Sequence, residues 1–198
     1  LNVREHTCFD ERCRPVSVPL AVDIEGHCLA LRDGRRQYVV LDFARLMPPV
    51  SPDPAHSQMG PDADHLAYLY RLFRPVFVRT CGAALSADAY SPFARPDEKL
   101  DNSDVDRATD ALVGAAVPRF AAELDELYRT GGTPLRGADL TQKLHQHGIN
   151  CRYYGRLRAC AAHADVRALL LVELVARVVK NALNEVLRAA ISDSTLMI

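Results

Sequence analysis

The chain has 198 residues, of which 48% are hydrophobic and 25% charged, the balance of a folded domain and not of a disordered tail. Lys and Arg number 24 against 25 for Asp and Glu, a formal charge of -1, so no global field draws the molecule onto nucleic acid or anionic lipid, and any such contact must come from a local patch. No run approaches the ~18 apolar residues of a membrane span, and residues 1–10 are too polar for a signal peptide. The sequence starts at Leu1 without Met, which reads as a piece of a longer protein. Its six cysteines, at 8, 13, 28, 81, 151 and 160, form no Cys-x-x-Cys pair and point to a reducing compartment with buried thiols.

In chain order, short apolar runs occupy residues 16–22 and 28–31, and residues 37–43 form the most strand-like segment. Asp33-Gly34 between apolar runs is a turn signal, because both central positions of a type I′ turn need positive φ. The expectation is a β-hairpin over residues 28–43. Pro48, Pro49, Pro52, Pro54 and Pro61 then predict an extended connector without helix, since each removes a donor and fixes φ. A helical spacing follows at Leu66, Leu69, Tyr70, Phe73, Phe77 and Val78, with Pro75 as a kink or break. A second helix opens at Ser103-Asp104 and runs to Tyr128, interrupted by Pro118 and ended by Gly131-Gly132. A third spans residues 139–147 and closes at Gly148 in a left-handed cap, and a fourth covers residues 153–163. In the last helix, residues 165–190, apolar positions cover more than half the circumference, which predicts burial between neighbours.

The fold expected is therefore α+β but mostly α: an amino-terminal β-hairpin region (1–50), a proline-rich connector (51–61) and a multi-helix bundle (62–198) with a long buried carboxy-terminal helix, together one domain or fragment.

Two stretches carry a resemblance. Leu144-His145-Gln146-His147-Gly148-Ile149-Asn150-Cys151-Arg152-Tyr153-Tyr154-Gly155 resembles the Leu-His-x-x-Gly-Ile-Asn-x-Arg-Tyr-Leu-Gly block of the CLU domain, the central domain of the clustered mitochondria protein family. Asp33-Gly34-Arg35, then Tyr38 to Asp42, Arg45 and Pro48-Pro49, is similar to the segment preceding that block, and Arg71-Leu72-Phe73-Arg74-Pro75 to the family's Arg-Leu-x-Arg-Pro between them. The blocks occur in the family's order, as in the carboxy-terminal half of a CLU domain or a short divergent relative. Cys151 and Tyr154 depart from it, standing where an apolar residue and Leu are usual. The resemblance implies a cytoplasmic, non-catalytic binding or scaffold module with mRNA, ribonucleoprotein components or other proteins as partners, in assemblies needed for mitochondrial distribution and biogenesis. Some members are linked to the translation initiation machinery. It implies no cofactor, no DNA and no membrane insertion.

Asn150, Arg152, Tyr153, Tyr154, Arg156 and Arg158 form the densest basic and aromatic cluster. Guanidinium groups contact phosphate and tyrosine rings stack on bases, so RNA or partner binding is one reading. The other is a loop-to-helix junction in which Gly148 caps, Asn150 bonds backbone and Arg152 pairs with a carboxylate. Asp33, Gly34, Arg35, Asp42 and Arg45 are expected to be structural, with Asp42 in an ion pair with Arg35 or Arg45. A sharper alternative makes Asp42, after a strand, the metal-binding acid of a phosphotransferase-like half-domain, without the Gly-rich loop, strand lysine or His-Arg-Asp motif. A third reading is a purely architectural interaction domain. His6, Cys8 and Cys13, or His145, His147 and Cys151, offer zinc ligands, but neither trio shows the paired spacing of a structural site, and no metal is expected. Cys28, Cys81 and Cys160 are expected in the core.

Overall fold

A computed structural model describes the backbone of residues 2–4, 6–9, 15–18, 26–30, 36–40, 47–58, 66–91, 98–132, 135 and 137–195, and the side chains within 2–4, 47–58, 66–91, 99–132, 135 and 137–191. The chain divides into two compact units, one made of Leu1–Ala116 with His145–Asn150, the other of Val117–Leu144 with Cys151–Ile198.

In the first unit the segment after Leu46 is core, not connector: Met47, Val50 and Ser51 are buried. Its backbone is satisfied at once, the Val50 amide donating to the Arg71 carbonyl (2.7 Å) and the Phe73 amide to the Pro48 carbonyl (2.9 Å). The Ser51 amide donates to Thr109 Oγ1 (3.0 Å), and that hydroxyl, fully buried, donates to the Val105 carbonyl (2.8 Å). The expectation of no helix among these prolines is corrected for one turn, α1 (Pro54–Ser57). Asp53 accepts from the Ala55 amide at 2.8 Å, and Pro54 sits at the first helical position, where its missing N–H costs nothing. Pro75 behaves likewise. It starts a helix, and of the kink or break expected at Pro75 the break is what occurs, dividing the element into α2 (Ala67–Tyr70) and α3 (Pro75–Thr80). The Phe73 and Phe77 rings stack at 5.1 Å.

Helix α4 (Glu98–Ala111) begins before Ser103 and buries Val105, Ala108, Thr109 and, one turn on, Leu112. Its buried acids are paired, Asp101 and Asp104 with Arg4, and Asp104 also with Arg107. A π turn, Leu112–Ala116, leads into α5 (Val117–Arg129). Pro118 cannot donate to the carbonyl four residues back and its ring crowds that group, and a widened turn immediately upstream accommodates both effects.

Gly148 lies at φ 73°, the left-handed conformation predicted for it. Its amide donates to the His145 carbonyl (3.0 Å). A Cβ there would stand 2.7 Å from Phe77 Cβ and 2.8 Å from Phe77 N, so Phe77 occupies the space that a side chain would need.

In the second unit α5 turns Val117, Phe120, Ala121 and Leu124 inward, an i, i+3, i+4, i+7 stripe. It ends at Gly131 (φ 71°), as the sequence predicts. Helix α6 (Gly137–Gln146) adds Leu140 and Leu144; a 3₁₀ turn, Cys151–Tyr153, and α7 (Tyr154–Cys160) add Tyr153, Tyr154 and Leu157; α8 (Ala164–Thr195) adds only Val166 and Leu170. The Asp125 carboxylate accepts from the Ala162 and His163 amides (2.7 and 2.9 Å), satisfying donors just before α8 that no helical carbonyl could reach.

Two parts of the fold expectation are corrected. The class is mostly helical, not α+β with a hairpin region packed on a bundle. The backbone pairs His6–Phe9 with Pro15–Val18, and Gly26–Ala30 with Arg36–Val40, as two separate two-stranded ladders. The buried residues described lie in the helices, the loops joining them and the segment 47–51 before α1. The Asp-Gly signal is local and carries no information about what a strand packs on. The buried carboxy-terminal helix is corrected as well, because from Leu171 onward its large apolar side chains are exposed apart from the half-buried Leu174.

Gly148→Ala should cost roughly 2–3 kcal/mol, combining left-handed backbone strain with overpacking against Phe77; thermal midpoints of the two proteins measure it. A second expectation concerns pH. His56 Nδ1 lies 2.9 Å from Asp110 and Nε2 3.9 Å from Asp106, and the hydrogen bond to Asp110 raises the imidazole above its ordinary value. A His with a raised folded pKa stabilises the native state fully below its unfolded value of about 6.5 and loses that contribution as pH climbs through the folded value. The denaturation midpoint should therefore decline from pH 6 to pH 8 by more in the native chain than in His56→Gln.

Candidate functional site

The basic and aromatic cluster separates into an inside and an outside. Tyr153 and Tyr154 are buried, at 3% and 0% exposure. The Tyr154 hydroxyl is 3.1 Å from Thr141 Oγ1, the Arg177 guanidinium lies 5.0 Å over the Tyr154 ring, and Arg177 Nη2 donates to the same Thr141 oxygen at 3.0 Å. Since that oxygen already accepts from Arg177, its own proton and the phenol proton are left to form the Thr141–Tyr154 bond. Burial pushes the Tyr154 phenol above its ordinary pKa, so the ring is a neutral core group at any physiological pH.

Of the two readings, this burial fits the loop-to-helix junction: neither ring offers a face to a base. Arg156 and Arg158 are exposed on α7, Arg152 is half-buried, and Asn150 is half-buried and belongs to the first unit. The inward positions 154, 157 and 161 leave 156 and 158 outward by the 3.6-residue period alone. Sequence reasoning weighed that cluster by composition and missed Thr141 and Arg177, whose link to Tyr154 spans residues far apart in the chain.

Asp33, Gly34, Arg35, Asp42 and Arg45 lie outside the described residues, as do the side chains of His6, Cys8, Cys13 and Cys28. Among the described residues no three His, Cys, Asp or Glu side chains are placed to share a metal ion, so His145, His147 and Cys151 do not form a ligand trio. Cys81, Cys151 and Cys160 are free thiols of intermediate exposure, half out of the core expected for Cys81 and Cys160.

The largest exposed feature is on α8. Val166, Leu170 and Arg177 mark the stripe that faces its own unit. Advancing 100° per residue, Val172, Val175, Val179, Leu183 and Val186 fall on the opposite side, with exposures of 65, 51, 51, 58 and 66%. Counting Leu171, Val178 and Leu187, the apolar arc spans roughly 180° between positions 171 and 187, with Lys180 and Glu185 at its two margins and Glu173 and Arg177 behind it, while Asp165, nearer the start of α8, is exposed on the same side. The pattern was legible in the sequence, but it records only that the arc wants cover. Val178→Asp, which burial would have made costly, should change the thermal midpoint by no more than about 0.5 kcal/mol of stability in dilute solution, because Val178 is 61% exposed.

Residues 131–197, which hold α6, α7 and α8, match the family described as Translation initiation factor eIF3 subunit 135. The chain is 36% identical over 116 residues to the Clustered mitochondria protein homolog of Ajellomyces capsulatus (strain NAm1 / WU24), an alignment covering 53% of this chain and 9% of that protein. It is 33% identical over 89 residues to the Clustered mitochondria protein of Arabidopsis thaliana, covering 44% and 6%, and 33% identical over 116 residues to the homolog of Emericella nidulans, covering 53% and 9%. No solved structure matches. No helix among the described residues is long and apolar enough to cross a membrane. The chain spans less than a tenth of the length of these curated relatives, and over about half of its own length it is a partial relative of the clustered mitochondria family.

Proposed function

We propose that the chain is a non-catalytic CLU-type binding and scaffold module that works in a cytoplasmic RNA–protein assembly serving mitochondrial distribution and biogenesis. The observation that carries this reading is the open apolar face of α8, which lies within the stretch similar to Translation initiation factor eIF3 subunit 135. A hydrophobic surface of that size is what a component of a larger assembly presents. RNA contact, in this reading, belongs to the outward arginines of α7 and not to the tyrosines beside them. It is electrostatic, weak and salt-sensitive, because only a few guanidinium groups can reach phosphates.

Titration with single-stranded RNA at two salt concentrations tests it. Arg156→Gln/Arg158→Gln should bind more weakly and with a shallower salt dependence, by about one unit of log–log slope for each phosphate no longer neutralised. Affinity and slope unchanged in the double variant would remove α7 from the RNA contact. The same titration with magnesium and a nucleoside triphosphate should show no saturable binding; binding that disappears in Asp42→Asn at constant melting temperature would replace the scaffold reading with a phosphotransferase one.

A further inference from the structure

We infer that the outer face of α8 is where a second copy of this chain docks, so that the module is a weak dimer held by a helix-to-helix seam. This rests on the same open face as the scaffold reading and names its occupant, while the RNA titration tests the α7 contact separately. The eight large aliphatic residues exposed between positions 171 and 187 leave on the order of 800 Å² open. That is about what each partner contributes to a stable interface of standard size, and it exceeds the largest patch that most monomers carry. Area alone does not name the occupant; the distribution of charge does.

Between positions 171 and 187 the arc centred on Val172, Val175, Val179, Leu183 and Val186 holds no acid and no arginine, Asp165 lying on that side upstream of it. Two copies facing each other thus bring no like charges together and desolvate no ion, which is the requirement for an isologous contact, where each residue meets the same patch on its twin. The helix runs for 32 residues without Gly or Pro, so the seam has no kink. A lipid surface fits less well. The polar side carries Glu173 and Glu185 against Arg177, Lys180 and Arg188, close to neutral, and the face holds no aromatic residue, whereas interfacial helices pair a basic polar side with aromatic anchors.

Sedimentation equilibrium of the full chain, from low micromolar to several hundred micromolar, tests the inference. The average mass should rise from one to two chain masses and level there. Val175→Glu/Val179→Glu should stay at one chain mass with an unchanged far-UV circular dichroism spectrum, its association weakened by at least about a hundredfold, and Val179→Ile should dimerise like the native chain. The inference is overturned if the native chain remains at one chain mass throughout, if its mass grows past two without a plateau, or if the double-Glu variant still dimerises. A native chain that is monomeric but co-sediments with vesicles of anionic phospholipid would assign the face to a membrane instead. The result on the native chain stands whether or not the Glu variant folds.

Discussion

Between Leu144 and Tyr153 the backbone turns at a residue whose side-chain position is already occupied by Phe77. Gly148 meets two demands at once, a positive φ and a close approach to another backbone, and only glycine satisfies both without strain. Ile149, the next residue, is buried in the same unit. In the second unit the apolar spacing of α7 turns Tyr154 and Leu157 inward and leaves Arg156 and Arg158 out.

The buried polar groups follow one logic throughout. Burying a donor or acceptor is tolerated when its partner arrives from elsewhere in the sequence. The Thr109 hydroxyl accepts from the loop at Ser51 and donates within α4; Asp125 on α5 takes the two amides that precede α8; Thr141 on α6 accepts from Arg177 and faces Tyr154. The partners in these examples are 13 to 58 positions apart, Thr109 back to Val105 excepted. Each therefore ties one element to another, which apolar contact alone does less specifically.

That separation also explains what could and could not be read from the residues. Local signals were legible: the left-handed cap at Gly148, the helix end at Gly131-Gly132, and the helical pattern that contains α5. The proline count around residues 48–61 misled because a proline is judged by its place in an element, and Pro54 and Pro75 stand at first helical positions. The tyrosines of the candidate cluster were ambiguous for a different reason. A Tyr beside arginines looks the same in sequence whether the ring stacks on a base or on an internal guanidinium, and only the position of Arg177 over Tyr154 decides it. Helix α8 is the case where periodicity was sound and its interpretation was not: a wide apolar arc demands a neighbour without saying that this chain supplies it.

Helix α8 also outruns its support. Its 32 residues extend about 48 Å, while the seven residues of α7 extend about 10 Å, and its fully buried contacts end at Leu170. Beyond Arg177 the inward stripe turns polar, with Asn181, Asn184 and Arg188, and offers nothing for a neighbour of the α7 kind to grip. No side chain described on this stretch is buried, and a ladder with little lateral packing opens more readily than a packed one. Amide hydrogens along α8 should consequently form a gradient of solvent exchange, slow near Val166 and Leu170 and progressively faster toward Ala190. Any partner seated on the distal half would flatten that gradient.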